Sequence, residues 1–288
     1  MNGLDRVERH AASAGVVAET PASRCRLRRI ADGFSRAAHG YDDGAELQRE
    51  VADRLLARLP ALGRLRTVVD IGCGTGYLIS RLAGCHAGLS IGLDIAPGML
   101  EAARRRHAAR PIQWVVGSAE WLPLADDSAD LLVSSLAVQW CESLEAFLAE
   151  AGRVLRPGGW LAFTTLCEGT LAELRAAGQR LDGTPLGNAF LPEARLAKIL
   201  EAPGWQLHEL DLTTRKIHHT TPIDALRALK RIGASTLTDP AAGHGGLAGR
   251  RRIVELGRGL ETWREAEGIP TRYRVATVLL QCSEREER

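Results

Sequence analysis

The chain lacks a strong excess of either charge. Its 288 residues carry 37 basic and 35 acidic side chains, a net charge of +2. That balance gives no ground for a general nucleic-acid or membrane-surface binder, so any basic patch must be local. Long apolar runs are missing too: no uncharged stretch approaches the roughly 18 residues that a bilayer-spanning helix needs. No secretory leader is legible, because charges come early and no apolar centre follows them. Six cysteines are scattered at 25, 73, 85, 141, 167 and 282 with no CxxC or CxxH pair. Their scatter argues against a zinc or redox motif and fits a reduced cytoplasm. There is no internal repeat, and the glycine-rich segment has no Walker lysine, which excludes a P-loop.

What is present is enough apolar content, 45% hydrophobic residues, for one sizeable domain with an insertion or appendage. Residues 1–24 are small and polar without a sustained period and read as a disordered tail. From Ile30 to Leu59 the pattern is helical. Ala45, Leu47, Val51, Leu55 and Leu59 form its stripe, and the turn Gly40 to Gly44 interrupts it. Strands and helices then alternate. The expected strands are 67–72, 89–95, 112–119, 130–138 and 160–166, with helices after Gly76, from Gly98 to Ala109 and from Leu144 to Leu155. Pro157-Gly158-Gly159 is expected to turn the chain into the fifth strand. Short apolar runs bounded by Gly, Pro and Asp indicate an α/β doubly wound sheet, parallel and buried on both faces. Further on, helices are expected at 171–181, 192–201, 222–231 and 247–267, a loop at 235–246, and strands at 206–219 and 271–282. The domain therefore runs from 25 to 282, with 283–288 as a short tail. Segments 167–190 and 222–268 hold more helix than a crossover needs and are candidate lids.

The stretch VVDIGCGTG (68–76) ends an apolar run in Gly72, Gly74 and Gly76. Such a turn lets main chain come close to a ligand. The spacing G-x-G-x-G is not the dinucleotide G-x-G-x-x-G. Asp70 precedes the turn, Asp94 closes the second strand, and Glu120 follows the third. Asp94 can accept from two vicinal ribose hydroxyls. Asp70 or Asp94 alone could be a cap or turn acid; three acids at successive strand ends form a set.

That set resembles the class I S-adenosylmethionine-dependent methyltransferases, through VVDIGCGTG (68–76), GLDIAPGML (92–100), GSAEWLPL (117–124), DLLVSSLAVQW (130–140) and VLRPGGWL (154–161). The resemblance implies a Rossmann-like sheet of seven strands, the last antiparallel and inserted between neighbours, with S-adenosylmethionine as cofactor. It implies that Gly72, Gly74 and Gly76 line the methionine part, with Asp70 and Cys73 of the same motif also among the cofactor-binding residues. Asp94 would hold the ribose, Ile95 and Met99 the adenine face, Ala119 and Glu120 its edge, and Leu136 would face the sulfonium. Segments 37–56, 135–159, 169–177, 188–192 and 228–235 are similar to the malonyl-acyl-carrier-protein O-methyltransferases of biotin biosynthesis. This implies methylation of the free carboxylate of a malonyl thioester on acyl carrier protein or coenzyme A. One departure is Ala189 in NAFLP (188–192), where that family is expected to have arginine; another cation must then meet the carboxylate.

A carboxylate acceptor is ionised near neutral pH and needs no general base, so the lack of an obvious Ser–His or His–Asp pair is no obstacle. The expected acceptor-side residues are Tyr41, Gln139, Trp140, Asn188 and Arg231. Each has a plainer reading: helix packing for Tyr41, core for Trp140, a turn for Asn188, a solvated face for Arg231. Arg227, Lys230, Arg231, Arg250, Arg251 and Arg252 form an expected docking patch for an acidic carrier protein, or an ordinary charged face. His218 and His219 are adjacent on an expected strand, point to opposite sides and make a poor metal pair; no metal, nucleic acid or membrane partner is expected. The rivals are a quinone C-methyltransferase, an aconitate-type carboxyl methyltransferase, a dehydrogenase, and a non-catalytic cofactor-binding module.

Overall fold

Alternate residues along the central strands enter different layers, and this makes the sheet buried on both faces. In β1 (Thr67–Ile71), Val69 and Ile71 pack into one apolar cluster and Val68 into another. In β4 (Ala129–Ser135), Leu132 joins the first cluster, while Leu131 and Val133 join the second. The computed structural model describes residues 21–86, 88–183, 186, 189–231 and 247–283. Its seven-stranded sheet has the order β3-β2-β1-β4-β5-β7-β6. The remaining strands are β2 (Leu89–Asp94), β3 (Ile112–Val116), β5 (Leu155–Leu166), β6 (Trp205–His219) and β7 (Ile269–Cys282). The first five pair in parallel, and β7 runs antiparallel to both its neighbours, as the resemblance implies.

The helices are α1 (Pro21–Ala37), α2 (Glu46–Arg58), α3 (Tyr77–Leu82), α4 (Pro97–Arg106), α5 (Leu144–Val154), α6 (Ala172–Asp182), α7 (Glu193–Leu200), α8 (Pro222–Arg231) and α9 (Leu247–Glu261). Local chemistry sets several starts. Pro97 occupies the first turn of α4. Ser143 caps α5, its hydroxyl accepting from Ala146 N–H at 3.0 Å. α5 and α7 cover one face with Phe147, Leu148, Leu196 and Leu200; α2 and α3 cover the other with Leu55, Leu78 and Ile79. Each such side chain contributes about 1.5–3 kcal/mol by its burial.

Three boundaries differ from expectation. α1 begins at Pro21, inside the stretch read as tail, and residues 1–20 lie outside the described ones. Strand β5 begins at Leu155 and runs through Pro157-Gly158-Gly159: Leu155 pairs with Ala129, and a register shift absorbs the glycines before Trp160 meets Leu131. α9 ends at Glu261, and a tight bridge between Glu265 and Gly268 leads into β7. The expected loop at 235–246 also falls outside the described residues. α6 and α9 do not stand clear of the body. Leu174, Ala177, Leu256 and Leu260 share a buried cluster with Leu47 of α2 and Tyr273 of β7.

Candidate functional site

A cavity of about 1100 Å³, its mouth included, opens at the carboxyl ends of β1, β2 and β4, where ligands bind in sheets of this topology. Its floor is the turn after β1. Gly72, Gly74 and Gly76 have φ of +71°, +54° and +85°, which side chains rarely adopt. A Cβ on Gly72 would lie 2.3 Å from that of Ala137, and one on Gly74 would meet nothing within 4 Å. The turn's amides are largely committed to β2 and its end: Gly72 and Cys73 N–H donate to Leu93 C=O at 2.7 and 2.9 Å, and Gly74 N–H to Asp94 Oδ2 at 2.8 Å. The glycines therefore provide a bare floor more than a cradle of free donors.

Gly72, Gly74, Asp94, Ile95, Met99, Ala119, Glu120 and Leu136 all line this cavity, and so do Tyr41, Gln139 and Trp140. Asp70, Cys73 and Gly76 do not. Asp70 is buried under α3, where Oδ2 accepts from Ile79 N–H at 3.1 Å and serves as a remote cap. Cys73 is buried beside Gly92, and Gly76 packs against the Trp114 ring. Asn188 lies outside the described residues; Arg231 ends α8, and its side chain lies outside them too.

Burial sets the electrostatics. It pushes the Asp70 carboxyl up to about 8, against the Ile79 N–H, which favours the ionised form. Asp94 is also raised by burial, while the N–H groups of Ala96, Gly74 and Ile95 pull it back. Both Asp94 oxygens already accept one bond each, from Gly74 and from Ala96; each keeps a lone pair for a ligand hydroxyl. Burial and then the Asp94 charge push the Tyr41 hydroxyl up to about 12, with Gln48 opposing. Tyr41 is therefore a hydrogen-bond donor across the working range. Asp70 keeps its proton at neutral pH, and Asp94, when ionised, is the acid behind the bare floor that favours a ligand with positive charge.

The loop after β4 is held in an unusual conformation. Leu136 has φ +51°, a strained region for a branched side chain that costs on the order of 1–3 kcal/mol. Its N–H faces Thr164 Oγ1 at 3.0 Å, and its C=O accepts from Gln139 Nε2 at 2.6 Å. Gln139 thus supports the loop, and its Oε1 is buried without a partner, as is Gln48 Oε1. Both glutamines line the cavity. Glu120 holds the same loop from the other side, accepting from the Glu142 and Ser143 N–H groups at 3.1 and 2.8 Å.

Sequence reasoning missed the opposite wall. α1 contributes Leu27, Ile30 and Phe34, and Phe34 meets Trp140 and Tyr41 edge-on at 5.5 and 6.4 Å. Leu47, Gln48, Leu166, Phe190 and Tyr273 close the far end, and Cys141 also lines the space. No arginine or lysine lines the cavity among the described residues.

The proposed surface patch is partly rearranged. Arg227 is exposed and pairs with Asp224, and Arg251 is 85% exposed. Arg252 instead turns inward to Asp182 of α6. The side chains of Lys230 and Arg250 lie outside the described residues. His218 and His219 do face different partners, Glu265 and Thr271. Among the described residues, His218, Glu265 and Glu267 have ligand-like spacing. Lys216 and Arg272 already hold Glu265, at 2.8 and 3.0 Å, and that carboxyl is lowered to about 2. The cluster is an ion-pair network.

Comparison with known proteins agrees with this geometry. A methyltransferase-domain family matches residues 69–163. The malonyl-[acyl-carrier protein] O-methyltransferase of Serratia marcescens is 43% identical over 227 residues, 79% of this chain and 86% of that protein. The bifunctional biotin-biosynthesis protein BioHC of Cellvibrio japonicus is 38% identical over 91% of this chain and 51% of its own length; the chain spans about half the length of the bifunctional relatives it matches. A solved methyltransferase-fold structure from Bacillus halodurans superposes with a TM-score of 0.60 at 16% identity, covering 81% of this chain and 99% of the other. That likeness speaks for the fold alone.

Proposed function

The chain belongs to the malonyl-[acyl-carrier protein] O-methyltransferase family, and from that premise we propose that it methylates the free carboxylate of a malonyl thioester on acyl carrier protein, with S-adenosylmethionine as donor. The product is the malonyl methyl ester that primes biotin synthesis. The observation that carries the proposal is the two-sided cavity: a glycine floor with Asp94 at its end faces a largely apolar chamber to which, among the described residues, no arginine or lysine contributes.

The residues fit the cofactor. Gly72 and Gly74 leave room for its methionine part, and Asp94 has lone pairs for the ribose hydroxyls. Ile95 and Met99 offer apolar surface to the adenine, with Ala119 and Glu120 at its edge. The orphaned Gln48 and Gln139 oxygens suit donors on a ligand. When bound, S-adenosylmethionine supplies an electrophilic methyl on a sulfonium. Leu136, fixed by Thr164 and Gln139, would be the residue to face that methyl.

The chain's part is to bind, align and dry the acceptor. A malonyl carboxylate arrives ionised, so no residue has to remove a proton. Alignment for in-line attack can lower the barrier by roughly 7–11 kcal/mol. Opposite charges vanish during transfer, so the apolar wall of Leu27, Ile30, Phe34 and Trp140 favours the reaction once binding has offset desolvation. Tyr41 donates a hydrogen bond to the carboxylate without forming an ion pair that would blunt it. Asn188 and Arg231 complete the proposed acceptor set. The carrier protein, acidic by family, docks on α8 and α9, where exposed Ile223, Ile253 and Val254 accompany Arg227 and Arg251. A reducing cytoplasm is the proposed compartment, in keeping with six free cysteines.

The test is to offer malonyl-carrier protein, malonyl-coenzyme A and a demethylated quinone, each with methyl-labelled cofactor. Label on the malonyl carboxylate is the expected result; label on the quinone alone would overturn the assignment.

A further inference from the structure

The 3-10 turns around Tyr41, residues 38–45, cap the cavity and are tied to the glycine turn through one side chain. Asp42 follows Tyr41 in a short 3-10 turn. Its Oδ1 accepts from Thr75 Oγ1 at 2.8 Å, and its Oδ2 pairs with Arg106, the last residue of α4. Its backbone carbonyl accepts from Arg49 Nη1 at 2.9 Å. Thr75 stands between Gly74 and Gly76, is 4% exposed and does not line the cavity; its hydroxyl is committed to Asp42. The two residues are 33 positions apart in the chain, so the bond joins separate parts of the fold. The start of α4 holds the cap as well: Gly98 N–H donates to Ser35 Oγ at 3.2 Å.

We propose that Asp42 is a positioning residue for methyl transfer: through Thr75 it registers Tyr41 against the glycine turn, so that closure of the cap and occupation of the turn are coupled. The proposal rests on the methyl-transfer reading above. A purely stabilising role fits less well. The Asp42–Arg106 pair is partly exposed, Arg106 being about half open to solvent, and exposed pairs add little to stability. The Thr75 bond is the shielded one, and it reaches the turn on which the cofactor would lie. Tyr41 is the adjacent residue and lines the cavity. A shift of the 3-10 turn must therefore move its hydroxyl.

Three variants separate the roles. Thr75→Val keeps shape and loses the hydroxyl; Asp42→Ala loses both partners; Asp42→Asn keeps an acceptor and loses the charge. Amide hydrogen exchange across residues 38–45 reads the cap directly, with and without S-adenosylhomocysteine. The product analogue is expected to slow that exchange about tenfold in the parent chain, and less than about threefold in Thr75→Val and Asp42→Ala. In both variants kcat is expected to fall about tenfold while KM for the cofactor rises less than about threefold, and Asp42→Asn should recover most of the loss. A Tyr41→Phe, Thr75→Val double variant should be no slower than its slower single parent. Full ligand-induced slowing in Thr75→Val, or losses that multiply in the double variant, would overturn the proposal. Without the ligand, Thr75→Val should already exchange faster across 38–45 than the parent. Equal rates there would refute the tie even in a chain that fails to bind S-adenosylhomocysteine, an outcome that would itself count against the cofactor reading.

Discussion

The two walls of the cavity are built by different rules. The sheet-side wall is main chain and carboxylate: Gly72 and Gly74 at positive φ, Leu93 C=O gathering two amides, and Asp94 bracing the turn. The facing wall consists of side chains from α1, α2, the Tyr41 turn, Phe190 and β7. A wall of backbone tolerates almost no change at its contact points. A wall of apolar side chains tolerates many, because volume and apolarity are what it supplies. The first suits a constant ligand, and the second can be reshaped for an acceptor.

The comparison breaks most sharply at Gly72. Gly72→Ala puts a methyl 2.3 Å from Ala137 Cβ at φ +71°. It is expected to weaken S-adenosylhomocysteine binding at least about 100-fold through overpacking and backbone strain, as read by calorimetry on protein whose circular dichroism is unchanged. Retained affinity would mean that the floor is not the contact.

The support behind that wall should show in the pH dependence of stability. Asp70 rises in the fold from the ordinary 3.8 to about 8, so the folded chain holds a proton that the unfolded chain has released. Stability should therefore decline as pH rises between about 4 and 8, by up to about 1.4 kcal/mol per unit. Asp70→Asn should flatten that slope in denaturant titrations; an unchanged slope would place the effect elsewhere.

The facing wall should respond more gently. Tyr41→Phe removes the neutral donor but keeps the ring. It is expected to lower kcat/KM for the malonyl acceptor about five- to tenfold and to leave cofactor affinity within about twofold. Equal losses in both would move Tyr41 to the cofactor side. Smallest is the surface term. Reversing Arg227 and Arg251 to Glu should raise KM for carrier-bound substrate about threefold at low salt, and less at high salt. An unchanged KM would remove α8 and α9 as the docking face.

The asymmetry also explains what could be read in advance. Backbone geometry demands particular residues at particular spacings, so Gly72, Gly74, Asp94 and Glu120 were legible one by one, and the alternation of strands gave the sheet. Motif membership still overreached. Asp70 and Gly76 share the glycine turn yet face α3 and Trp114, because successive residues of a tight turn point in different directions. Leu27, Ile30, Phe34 and Tyr273 were not legible as site residues, since an apolar side chain facing a cavity leaves the same trace as one facing the core. α1 was partly mistaken for tail because its first residues are polar and small. Gln48 gave no signal; only its unpartnered oxygen singles it out.

The central claim is that the glycine turn and Asp94 hold an adenosyl cofactor. Calorimetric titration of the folded chain with S-adenosylhomocysteine tests it most directly. Saturable one-to-one binding that disappears in Gly72→Ala is the predicted result. A flat titration with both S-adenosylhomocysteine and S-adenosylmethionine, on protein shown to be folded, would contradict it.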